Sequence, residues 1–404
     1  MKSKKILFLS NGYGEDKIAT AIIEKLLKDI PELTIKALPL VGEGNFYLEK
    51  GIEVILSSKM LPSGGFALRA GFFSFLKDIK AGWLRITKNQ IKILKKEREE
   101  VDLVISVGDI WPVILSLLFI RKTLIFLPTA KSDYIQKHHF IERFLMKKFC
   151  KLVITRDSQT ASSLRNSGIK AIYVGNIMLD SLEITGEDFG IEKDSYVIGI
   201  LPGSKNEAYE NLKIILKAVS LIKERLTSQG IRVEFLLSFA PSLELKKLRN
   251  ILNGEEDWII ERSSPGEKER GIIGHLTHRR TFIKIIQGKF GDILKCSRVI
   301  IGLSGTGNEQ AVGMGKPVIT FWGKGPQITR KFISTQQKIL GEAISVVKNE
   351  EEEIARETIS FLTNTQKLQR VREIGQQRMG KPGGVTKMVN LVKQILNSER
   401  KIAS

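Results

Sequence analysis

The sequence predicts an α/β protein made of two Rossmann-like parallel-sheet domains. Short apolar runs such as Asp102–Val107, Thr123–Leu127, Val197–Leu201 and Val299–Gly302 alternate along the whole chain with segments of helical apolar spacing. Twice in the second half, such a run breaks into small residues and then opens a helix, at Pro202-Gly203-Ser204-Lys205 and at Ser304-Gly305-Thr306-Gly307. With 404 residues the chain is long enough for two full cores.

Composition narrows the class further. A hydrophobic share of 42% is that of an ordinary globular protein. The longest apolar run, Ile110–Ile120, is too short to span a bilayer, and the sequence enters a strand directly after Met1, which leaves no room for a signal peptide. Cys150 and Cys296 lie far apart without metal spacing, and the four histidines form no ligand motif. A cytoplasmic protein without a metal or a tightly held cofactor is expected. The formal charge of +20 admits an anionic membrane, a nucleic acid or simply a lysine-rich composition. No nucleic-acid module accompanies it, so no nucleic-acid partner is expected.

Lys4–Ser10 reads as a central strand, followed by Asn11-Gly12-Tyr13-Gly14-Glu15-Asp16, a helix from about Asp16 to Asp29, and a strand over Thr34–Leu40. Two glycines without a third make a weak dinucleotide signal. Glu15 and Asp16 sit beyond the carboxyl end of the first strand, where open α/β sheets place their sites; Asp16 as a plain helix cap reads equally well. In residues 59–98 the side chains Leu68, Phe72, Phe75, Ile79, Trp83 and Ile86 fall at helical spacing among many lysines and arginines. That composition suits contact with an anionic membrane surface through 61–98, and it also suits a core helix with a solvated lysine face. Asp102–Val107 delivers Gly108-Asp109 at its carboxyl end, where a carboxylate can serve as general base, ahead of a helix over Trp111–Phe119. Phe140–Phe149 and Ser158–Asn166 are helices around a strand at Leu152–Thr155, and the domains divide near 176–196.

In the second domain, Val197–Leu201 leads through Gly203, Ser204 and Lys205 into a helix over 207–226. Residues 253–280 are polar and poorly periodic, a loop with at most a short strand near Trp258–Glu261. Val299–Gly302 breaks into Ser304-Gly305-Thr306-Gly307; Asn308 offers a helix cap, Glu309 follows, and the helix stops at Gly313–Gly315. Free N–H groups and the positive helix end suit a phosphate, and a carboxylate one turn inside suits a ribose diol. A tight turn that binds nothing fits the same residues. Asn349 is placed to cap a helix whose first turn is Glu350–Glu353, and a last helix spans about 385–398.

Ser304-Gly305-Thr306, Glu309 and Gly315-Lys316-Pro317-Val318 resemble the nucleotide-sugar site of lipid-A-disaccharide synthase and related two-domain GT-B glycosyltransferases. The run Gly323–Gln327, with Gln336 and Leu340-Gly341, is similar to a bacterial group related to that synthase and known mainly from cyanobacteria. The resemblance implies two domains, 1–180 and 181–404, facing a central cleft, with a terminal helix that crosses back. It implies a metal-independent hexosyltransferase using a UDP-sugar as donor substrate, peripheral on the inner face of the membrane, with a lipid or glycolipid acceptor. Glu309 would hold the ribose, and the 304–307 turn, with Asn308 and Gln327, would line the donor site. Asp109 matches the aspartate to which the family assigns the base, with Glu15 and Asp16 on the acceptor side. Where the family has arginine this chain has Lys205, which keeps the charge and loses the two-pronged donor. A UDP-sugar epimerase on the same fold, or a non-catalytic membrane-associated protein, are the alternatives; the first needs a histidine–acid cluster.

Overall fold

The computed structural model describes residues 4–57, 82–252, 258–323 and 328–403. The chain forms two compact units, one of residues 1–181 with 382–404 and one of residues 182–381.

In the first unit the chain runs β1 (Lys5–Ser10), α1 (Tyr13–Asp29), β2 (Thr34–Pro39), α2 (Asn45–Glu49), β3 (Glu53–Val54) and α3 (Trp83–Glu97). It continues through β4 (Leu103–Val107), α4 (Ile110–Leu115, ending in a π turn over Ser116–Ile120), β5 (Thr123–Leu127) and α5 (Phe140–Phe149). β6 (Leu152–Thr155), α6 (Ser158–Asn166), β7 (Ala171–Tyr173) and α7 (Ile177–Asp180) close this part of the unit. The seven strands are all parallel, in the order β3-β2-β1-β4-β5-β6-β7. β1 shows why both faces are covered. Ile6 and Phe8 enter one apolar cluster and Leu7 and Leu9 the other, so Ile6–Leu9 are buried on both faces of the sheet.

The second unit runs β8 (Tyr196–Leu201), α8 (Glu207–Ser228), β9 (Val233–Ser238), α9 (Leu245–Leu252), β10 (Ile259–Arg262) and α10 (Pro265–Glu269). Next come β11 (Ile272–His278), β12 (Thr281–Ile286), α11 (Phe290–Cys296), β13 (Val299–Gly302), α12 (Thr306–Gly313) and β14 (Val318–Phe321). α13 (Arg330–Leu340), β15 (Ile344–Val347), α14 (Glu351–Thr363) and α15 (Thr365–Met379) complete it. Its strand order is β10-β11-β12-β9-β8-β13-β14-β15. The helix α16 (Gly384–Ala403) belongs to the first unit, where Met388, Val389 and Val392 are buried in the same cluster as Phe8 and Ile22. Asp180 ties down its start by accepting the N–H groups of Gly383 and Val385.

Several local expectations are corrected. α1 starts at Tyr13, three residues before the expected Asp16, and Asp16 N–H already makes an intrahelical bond to the Gly12 carbonyl. The stretch read as a loop holds β11, which pairs antiparallel with β10 and β12 at one sheet edge. Gly274, His275 and Thr277 dilute its apolar alternation, so pairing rather than side-chain period makes it a strand. Asn349 does not cap α14, whose cap position is Glu350 without a side-chain bond. Of the basic stretch 61–98, residues 61–81 lie outside the described residues. In α3, Leu94 is buried in the core with Ile91 packed beside it, while Lys88, Lys92, Lys95 and Lys96 are exposed.

Candidate functional site

Both sheets have a switch point, where chain order runs outward in both directions from one strand. It lies between β1 and β4 in the first unit and between β8 and β13 in the second. Open α/β sheets bind ligands beyond the carboxyl ends of the strands at such a point. The turns singled out from sequence are the four that follow these strands.

In the second unit β8 and β13 pair in parallel from Val299–Ile198 to Gly302–Leu201, which sets Gly203–Lys205 beside Ser304–Thr306. Gly203 has φ +112°, and a Cβ there would come 3.5 Å from the Leu303 carbonyl oxygen. Glycine therefore serves the left-handed backbone, since a Cβ at that distance would make only an ordinary contact with the neighbouring turn. Ser204 and Lys205 are exposed. The Ser204 carbonyl accepts from Ser242 Oγ at 2.6 Å, which anchors that turn.

The other turn is held from beneath. Ser304 Oγ accepts the Gly307 N–H at 3.2 Å, Thr306 is exposed, and Gly305 takes the cap position of α12. Asn308 was expected to cap this helix. It is instead two residues inside and wholly buried, because its side chain turns back under the loop. Its amide donates to the Gly302 carbonyl and to Gln336 Oε1, both at 3.1 Å. Gln336 Nε2 in turn donates to the carbonyls of Ser304 at 3.2 Å and Gly305 at 2.8 Å. With those carbonyls bound below and the Gly307 N–H taken by Ser304 Oγ, what the turn can offer a ligand is the other N–H groups of the first turn of α12. Glu309 is half-buried one turn inside. Gln327 lies outside the described residues.

Sequence reasoning assigned Gln336 no task, since it stands 28 residues beyond Asn308 on another helix. Trp322 follows β14, the neighbour of β13, and Arg330 lies 5.0 Å from its ring centroid.

In the first unit Asn11 links the two turns, since its Oδ1 accepts the Asp109 N–H at 3.4 Å. Gly108 has φ +135°, and a Cβ there would stand 1.7 Å from that oxygen, so only glycine fits. Asp109 caps α4, its Oδ1 accepting the Trp111 N–H at 2.9 Å. Glu15 Oε1 accepts from Thr129 Oγ1 at 3.0 Å. Asp16 is only 3% exposed and is bonded to Ser10 Oγ at 2.6 Å, and Ser10 Oγ lies 2.7 Å from the hydroxyl of the buried Tyr47. Burial pushes the Asp16 carboxyl up to about 7 against the lowering effect of the Ser10 bond, and the neighbouring Glu15 charge adds to the rise. Burial raises the Tyr47 phenol as well, with the Asp16 charge beside it.

Of the four histidines, His138 contacts Glu142 and His275 contacts Glu267. Among the described residues no helix is long and apolar enough to cross a membrane, and no group of three His, Cys, Asp or Glu residues stands ready for a metal.

Two Rossmann-like parallel-sheet units of this kind define a GT-B-type fold, and solved structures of that type are similar to this chain over nearly its whole length. They include CalG4, the calicheamicin glycosyltransferase, at 14% identity and TM-score 0.62, covering 98% of this chain and 99% of that one. They include the UDP-GlcNAc 2-epimerase of Neisseria meningitidis bound to UDP-GlcNAc, at 16% identity and TM-score 0.58, covering 97% and 100%. MurG of Acinetobacter baumannii is similar at 13% identity and TM-score 0.56, covering 97% and 99%. No protein-family profile matches the chain, and no curated protein matches it in sequence.

Proposed function

We propose that this chain is a metal-independent hexosyltransferase that moves a sugar from a UDP-sugar to a lipid or glycolipid acceptor at the inner face of a membrane. The observation that carries the reading is the double turn of the second unit. The start of α12 rests on the Asn308–Gln336 brace, a second small-residue turn with Lys205 stands beside it, and a carboxylate follows one turn in. That set suits a diphosphate next to a ribose.

In this reading Asp109 takes the proton from the acceptor hydroxyl as its oxygen bonds to the anomeric carbon. The bond from that carbon to the diphosphate breaks, and UDP leaves with the electron pair. The first-turn N–H groups of α12 and the Lys205 ammonium meet the charge that develops on it. Acid–base work by Glu15 and Asp16 and membrane contact through 61–98 belong to the same proposal.

The likeness to a UDP-GlcNAc 2-epimerase favours a second reading on the same donor site. The contacts of His138 with Glu142 and of His275 with Glu267 weigh against it, since each ring already has a carboxylate partner. The two readings separate in one assay with UDP-hexoses and membrane lipid. A transferase releases UDP only when an acceptor is present, whereas an epimerase converts the UDP-sugar without one. Neither event, together with no thermal shift by UDP, would leave a non-catalytic protein.

A further inference from the structure

α5, with the sequence Phe-Ile-Glu-Arg-Phe-Leu-Met-Lys-Lys-Phe, is turned the wrong way round for a surface helix. Of its ten residues only Met146 is buried. Phe140, Ile141 and Phe144 are 71%, 52% and 57% exposed. At ~100° per residue, these three and Lys148 fall in one sector of the helix surface, with Lys147 at its border. Single exposed apolar residues need no explanation, but three large ones on one face do.

The charge around this face has one sign. From Lys137 to Lys151 there are five lysines or arginines and a single acid, Glu142. Glu142 is turned inward, where it pairs with His138 and Lys131, so it adds little negative charge to the outer face. Lys148 Nζ lies 5.7 Å from the Phe144 ring centroid and 5.3 Å from that of Phe149, an arrangement in which the ammonium stays at the level of the rings.

We infer that the outer face of α5, centred on Phe140, Ile141 and Phe144, is a docking surface for an anionic lipid bilayer. The aromatic and aliphatic side chains enter the headgroup–acyl boundary while Lys147 and Lys148 meet lipid phosphates. A second copy of the chain fits less well, because a two-fold contact would set these lysines against their own counterparts. The inference deepens the proposed membrane acceptor and rests on that reading for its purpose, but its test needs no turnover.

The test is sedimentation of the full chain with vesicles of phosphatidylcholine, with and without phosphatidylglycerol. Wild type should bind the anionic vesicles, and F140S/F144S should bind them about tenfold or more weakly with an unchanged melting midpoint. K147E/K148E should lose the preference for phosphatidylglycerol and most of the salt sensitivity. Vesicle binding by F140S/F144S equal to wild type would overturn the inference. So would a wild-type dimer that the same substitutions dissociate in the absence of lipid. UDP affinity measured alongside keeps the two proposals apart: a wild type that binds vesicles and no UDP sinks the donor site and leaves this surface standing.

Discussion

At the scale of single residues, the account turns on carboxylates whose surroundings differ. Asp16 is buried against Ser10 and titrates at about 7 in the folded protein, against an ordinary value of 3.8. Between those two values the folded chain holds a proton that the unfolded chain has released, so stability falls as pH rises through the window and levels off above it. The full shift corresponds to at most about 4 kcal/mol, an upper bound because relaxation and water entry reduce it. Asp16→Asn should therefore flatten the dependence of the melting midpoint on pH between about 4 and 7. A variant with the wild-type slope would show that the carboxyl is ionised in place. Asp109 differs in being a helix cap with a bonded oxygen. Asn caps as well as Asp, so Asp109→Asn should leave stability within about 0.5 kcal/mol while turnover drops about a hundredfold and UDP affinity holds. Unchanged turnover would reduce Asp109 to its capping task.

At the level of elements, the 304–307 turn is a loop braced from another helix. Gln336→Ala should remove the donor to the Ser304 and Gly305 carbonyls and leave the Asn308 amide with Gly302 alone, costing about 1–3 kcal/mol of stability and weakening UDP binding as the loop loosens. Equal melting and equal affinity would mean that the backbone holds the turn unaided. This scale also shows what could be read from sequence. Buried strands such as β4 and β13 and the glycine turns that follow them were legible, because continuous apolar runs and missing side chains are local signals. The Asn308–Gln336 brace was not, since a bond between distant elements leaves no spacing to find. Asp16 was misjudged as an equal candidate for a cap because its burial depends on Tyr47 and Ser10, which fold onto it from β1 and α2. The α5 face escaped notice because apolar spacing identifies a stripe and says nothing of which way it points.

At the scale of the whole molecule, the chain returns to its first unit through α16, whose Met388, Val389 and Val392 are fully buried there. Removing residues 382–404 should take away about 2 kcal/mol for each such side chain and unfold the first unit at ordinary temperature. The turns proposed to bind the donor lie within residues 182–381, so UDP binding should survive the truncation. A truncated chain with the wild-type melting profile would contradict the packing described for α16.

The helix start at 304–309 is proposed to hold a nucleotide through Glu309, and titration calorimetry of UDP against wild type and Glu309→Gln tests this. A carboxylate early in α12 is favoured by the helix dipole with or without a ligand, so the free variant should lose only about 0.3–1 kcal/mol of stability. If the carboxylate accepts both ribose hydroxyls, UDP should bind the variant more weakly by about 1.5–3 kcal/mol. 2′-Deoxy-UDP should then separate the two proteins far less than UDP does. Equal affinity of UDP for both proteins would leave Glu309 as a helix-start residue and contradict the account.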